Sequence, residues 1–142
     1  MQDIEDLKQQ GYTKLMLAIL EGDQAEIEDH LKTKINLDQT TDSGLNALTI
    51  AICAGETEIA RSLVDVGIDI DQKDNSGLVP LHWAVLCGNR DMVAILSERS
   101  SYSQDEYPDG RTLLEVAKTA GDDEIVQALK NSAKPSPMNS SD

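Results

Sequence analysis

Two cysteines, Cys53 and Cys87, and two histidines, His30 and His82, are the residues of this 142-residue chain with the widest chemical reach. Thiol-based hydrolysis or redox chemistry would pair Cys87 with His82 and would need a group to orient the imidazole and a pocket for substrate. No base, orienting group or pocket is evident, so a Cys/His-dependent enzyme is the remote alternative and no residue is assigned as catalytic. Metal binding fares no better, because there is no CxxC and no nearby histidine pair. The acidic run from Asp69 to Gly77 has the look of a calcium loop. However, Lys73 occupies a ligand position and no acid closes the loop at the twelfth place. With neither GxxxxGK[ST] nor GxGxxG present, nothing argues for a nucleotide, and no cofactor is expected.

What must position these residues is a repeat. Gly11, Gly44, Gly77 and Gly110 recur at one constant spacing, a 33-residue period, and Gly22, Gly55, Gly88 and Gly121 keep the same interval. Leu15, Leu48, Leu81 and Leu114 form a third column, and Ala18, Ala51, Ala84 and Ala117 a fourth. A fifth, Ile27, Ala60, Val93 and Val126, stays apolar throughout. Fixed periods of this length are the signature of stacked supersecondary units, none of which can bury its apolar face alone.

Each unit reads as two short helices. Residues 13–21, 46–54, 79–87 and 112–120 carry apolar side chains at helical spacing and stop at a glycine suited to the left-handed C-terminal position. The second helices begin beyond it, with Asp23, Glu56, Asn89 and Asp122 placed to serve exposed N–H groups. Pro80 fits a first helical position, and Thr112 with Glu115 forms a capping-box pattern.

The run Gly77-Leu-Val-Pro-Leu-His-Trp-Ala-Val-Leu-Cys-Gly88 resembles the G-x-T-P-L-H-x-A-x-x-x-G core of the ankyrin repeat, and Gly67-Ile-Asp-Ile-Asp resembles the G-A-D-V-N segment after its second helix. The resemblance covers about residues 9–131 and implies an all-α solenoid of helix-turn-helix units with short hairpin-like loops. On this reading, residues 1–10 are an N-terminal capping segment. Four repeats occupy about 11–43, 44–76, 77–109 and 110–131, and residues 132–142 form a disordered polar tail. No unit keeps both the Thr and the His of the family's TPLH, which removes an expected tie between neighbouring turns. His82 takes the family's structural role, while His30 falls on an outer helix as a solvated polar residue. The segment 100–110 lacks the glycine terminator and hairpin apolars of the preceding unit.

The two cysteines then end inner helices of successive units, one position out of register with each other. Packed helices lie ~8–10 Å apart, whereas a disulfide needs Cα atoms within ~7 Å. Bridging them is expected to require distortion, leaving small, partly exposed thiols on the concave wall.

Charge narrows the partner. Lys and Arg number 12 against 26 Asp and Glu, a net of −14, with only 3% aromatic residues and no Phe. Such a chain lacks the cationic footprint for nucleic acid or anionic membrane. The acidic, polar start has no basic n-region followed by an apolar run, and no stretch is long and apolar enough to span a bilayer. A reduced cytoplasmic protein, monomeric when free, is the expectation.

The family implies binding through loop tips and the concave face. The positions matching that surface are Asp42, Ser43, Asn75, Ser76, Pro108 and Asp109 at the tips, and Tyr12, Leu45, Leu78 and Arg111 just after the repeat glycines. Leu86 and Cys87 lie at an inner helix end, at places equivalent to Leu20 and Glu21 of the first unit. Tyr102 and Tyr107 join them in the irregular loop, since tyrosine favours interface hot spots. The reading is a noncatalytic protein-binding module that inhibits, shields or scaffolds a basic protein partner. Its more specific alternative is an immunity-like inhibitor of a basic toxin or hydrolase.

Overall fold

A computed structural model describes residues 4–33, 37–99 and 107–132. Among them a short helix, α1 (Ile4–Gln9), precedes four helix pairs. These are α2 (Lys14–Glu21) with α3 (Gln24–Thr33), α4 (Ala47–Cys53) with α5 (Thr57–Asp65), α6 (Pro80–Cys87) with α7 (Arg90–Arg99), and α8 (Leu113–Ala120) with α9 (Asp123–Ser132). The inner helices α2, α4, α6 and α8 pack side by side in chain order, and α5, α7 and α9 do the same behind them. There is no β-strand among the described residues.

The apolar columns build the interior. Leu15, Leu48 and Leu81 are at most 2% exposed, and Ala18, Ala51, Ala84 and Ala117 at most 3%. Alanine at this column leaves room for neighbouring inner helices to approach. In the last pair, Leu114 and Val126 are only half-buried, because no described unit stacks on their outer side. Aliphatic side chains fill this thin interior without any phenylalanine.

Each inner helix caps its first turn with a different residue pair. Thr13 Oγ1 accepts from Met16 N at 3.2 Å, and Asn46 Oδ1 from Thr49 N at 3.1 Å. In α6 the direction reverses, and Val79 N donates to His82 Nδ1 at 3.1 Å. Only α8 completes the reciprocal box with two oxygen acceptors: Thr112 Oγ1 accepts from Glu115 N at 3.0 Å, and Thr112 N donates to Glu115 Oε1 at 2.9 Å. The departures from TPLH are therefore substitutions of one capping partner for another. Among the outer helices, Asp23, Asn89 and Asp122 accept from the N–H three residues on, at 3.1–3.2 Å. Glu56 makes no such bond, its side chain being one methylene longer than those of the residues that cap well.

Candidate functional site

Three loop fingers repeat one turn. Thr41 N donates to Leu45 O at 2.9 Å, Asp74 N to Leu78 O at 2.8 Å, and Tyr107 N to Arg111 O at 2.8 Å. The first residue of each turn, again recurring with the repeat, locks it differently. Thr41 Oγ1 accepts from Leu45 N at 3.2 Å. Asp74 takes Ser76 N and Leu78 N on Oδ1, at 2.8 and 3.0 Å, and Trp83 Nε1 on Oδ2 at 2.8 Å. Tyr107 turns inward: it is 5% exposed, its hydroxyl donates to His82 O at 2.8 Å, and its ring lies 4.5 Å from the His82 ring.

Successive fingers are joined through their backbones. Asp42 N donates to Gln10 O at 2.8 Å, and one period later Asn75 N donates to Ser43 O at 2.9 Å. The Asn75 amide adds a bond from Nδ2 to Asp42 O at 2.8 Å. This closeness is why glycine is needed at 44. Its φ is +88°, and a Cβ there would lie 2.9 Å from Asn75 N. The next place in the series, one period after Asn75, is Pro108. Proline has no N–H to offer Ser76 O, and the neighbour a Cβ on Gly77 would meet is the Pro108 ring, at 3.3 Å. The last finger is thus held from beneath by Tyr107 instead of from the side by its backbone.

The expected contact residues divide accordingly. Asp42, Ser43, Asn75, Ser76 and Asp109 are exposed at the tips, and Arg111 is exposed beside them. Tyr107 is a correction: burial and its bond to His82 O remove it from the surface. Leu45 and Leu78 also differ from expectation, being half-buried against the core because each closes its finger's turn. Tyr12 is packed the same way. Tyr102 lies outside the described residues, as does the tail expected over 132–142 apart from Ser132, which ends α9. His30, expected to be solvated, is half-buried with Nε2 3.0 Å from Glu26 Oε2.

On the inner helices the exposed apolar surface follows a column. Leu20, Cys53, Leu86 and Thr119 recur with the same period, so they occupy equivalent places on α2, α4, α6 and α8 and form a row across the array. Leu20 is 45% exposed and Leu86 48%. One turn before them, Leu17 and Ile50 are buried and Trp83 is half-buried. Cys87 adjoins the row, and its Sγ lies 3.1 Å from Cys53 Sγ. The sulfurs thus lie closer than the helix spacing suggests, although they are not bonded. The spacing of helix axes does not fix the spacing of side-chain tips.

The acidic excess of the sequence sets the electrostatics, and three of the described arginines, Arg61, Arg90 and Arg111, lie against acids. Arg111 holds Asp109 through its backbone N–H at 3.0 Å and its Nε at 2.9 Å, which keeps the Asp109 carboxyl below its usual range. Arg61 lies 3.7 Å from both Glu58 and Asp91, and Arg90 lies 3.4 Å from Asp122 and 2.9 Å from Glu124. These exposed pairs contribute little stability. No cluster of three or more metal-ligating side chains occurs among the described residues.

The family model for ankyrin repeats, in three copies, matches residues 15–105. The chain belongs to the ankyrin-repeat family. A comparison with curated proteins gives no significant match. Ankyrin repeats are protein–protein interaction modules and are generally noncatalytic, so the function of this ankyrin protein is to be sought on its surface. No described helix is long and apolar enough to cross a membrane. The sequence reading included Leu86 and Cys87 but gave Cys53 no binding role. The shared register of Leu20, Cys53 and Leu86 is the signal that would have found it.

Proposed function

We propose that this ankyrin-repeat protein binds a basic protein through the row Leu20, Cys53 and Leu86 on its inner helices, flanked by the exposed finger tips, and acts by occupying the partner's functional surface. The observation that carries this reading is the pair of large aliphatic side chains, 45% and 48% exposed, aligned by the repeat on a chain of net charge −14. Apolar groups at the centre of a patch supply affinity once water is excluded. The surrounding acid speeds encounter with a cationic surface and rejects anionic ones. Inhibition, shielding or scaffolding would each follow from the same occupancy, and the free chain is a monomer. A basic toxin or hydrolase with a cationic cleft is the narrower class of partner that fits.

The test compares capture from native lysate by the wild-type chain and by Leu20→Arg and Leu86→Arg variants, at low and moderate salt. The proposal expects basic proteins on the wild type, reduced by salt and lost with either variant. Retention that ignores both salt and these substitutions contradicts it.

A further inference from the structure

The 3.1 Å separation of Cys53 Sγ and Cys87 Sγ is a feature that neither the repeat architecture nor the binding reading requires. A disulfide has an S–S length of about 2.05 Å, so closure asks the sulfurs to approach by about 1 Å. Both residues are the last of their helices, α4 and α6, where a small shift of the side chain leaves the buried columns alone. Both are exposed, and they line an open groove of about 500 Å³ together with Asn89 and Arg90. A small soluble oxidant can therefore reach them. No other cysteine exists in the chain to compete for either.

We propose that Cys53 and Cys87 are a reversible oxidation site, forming an intramolecular disulfide that ties the second helix pair to the third when the chain meets a low-molecular-weight disulfide of the glutathione class. The exchange proceeds in two displacements. Either cysteine, once deprotonated, attacks one sulfur of glutathione disulfide. A protein–glutathione S–S bond forms, the glutathione S–S bond breaks, and one glutathione thiolate leaves with the electron pair. The other cysteine then gives up its proton and attacks the protein sulfur of the mixed disulfide, displacing the second glutathione. Overall two protein thiols are oxidised to one disulfide, and one glutathione disulfide is reduced to two glutathione thiols.

The environment of the pair bears on its resting state. Cys53 as a whole is exposed, but its sulfur is packed against Cys87 and partly desolvated, which with the hydrogen bond and charge of Cys87 added pushes the Cys53 thiol up to about 12. Cys53 therefore rests protonated in the reduced chain. In the mixed disulfide the protein sulfur under attack already lies within contact of the second thiol. Such proximity makes ring closure outrun a second encounter with glutathione.

The test starts from the fully reduced full-length chain, incubated near neutral pH with glutathione disulfide, quenched by alkylation and read by intact mass and peptide mapping. The expected product is a monomer lighter by two hydrogens, with the Cys53 and Cys87 peptides linked, both sulfurs closed to alkylation, and full recovery on adding dithiothreitol. Cys53→Ser and Cys87→Ser variants remove one partner each. They should hold a single glutathione, with mixed disulfide at least about tenfold more abundant than in the wild type. A wild type carrying two glutathiones, a disulfide-linked dimer, or thiols alkylated as readily as in the single variants would overturn the proposal.

Discussion

The fingers and the inner-helix row share one repeat but treat their surfaces in opposite ways. At the fingers, the polar groups are spent on neighbours: Asp42 N on Gln10 O, Asn75 N on Ser43 O, Asn75 Nδ2 on Asp42 O. Along the row, Leu20 and Leu86 touch water with nearly half of their surface and serve no described neighbour of comparable extent. The finger edge determines how units are spaced, and the row is left for something else. Substitutions should separate the two, costing stability at the fingers and binding at the row.

The largest expected loss is at Tyr107. Replacing it with Ala removes a buried ring from against His82, and the unfolding midpoint in urea should report a cost of about 3–5 kcal/mol. Gly44→Ala should follow at about 3 kcal/mol, because a positive φ is compounded by a Cβ set 2.9 Å from Asn75 N. Gly77→Ala has a similar φ of +86° but meets the Pro108 ring at 3.3 Å, so about 1 kcal/mol is expected. Equal costs for the two glycines would show that Pro108 does not loosen the last junction.

Tyr107→Phe is milder, losing one hydrogen bond at about 1 kcal/mol, and it carries a pH signature. Burial pushes the Tyr107 phenol above its ordinary value of 10.0. The folded chain then keeps a proton that the unfolded chain releases. The associated stability is full below pH 10 and falls as pH rises beyond it. Urea titrations between pH 8 and 11, compared for wild type and Tyr107→Phe, should show a steeper alkaline decline in the wild type; parallel curves would contradict the assignment. The smallest stability effect belongs to the row, where Leu86→Arg should lie within about 0.5 kcal/mol of wild type while abolishing capture of the partner.

Most of the fold was legible because it is periodic. The leucine and alanine columns, the capping box of Thr112 and Glu115, and the terminating glycines all follow from short-range chemistry repeated at one spacing. The surface was harder. Leu45 and Leu78 looked exposed in the sequence, yet closing the finger turns carries them against the core. Tyr107 resembled a contact residue, although its register with Thr41 and Asp74 marks it as the first residue of a turn, facing in. The consequence of Pro108 was readable only after the finger bonds showed what an N–H at that place would do. The thiol contact depends on side-chain direction at helix ends, which axis spacing does not determine.

The most direct measurement of the binding claim is hydrogen exchange on the chain with its captured partner, against the chain alone. The account predicts protection in the last turns of α2, α4 and α6 and at the tips around Asp42 and Asn75, with α3, α5, α7 and α9 unchanged. Protection confined to the outer helices, with the inner-helix ends exchanging as freely as before, would contradict it.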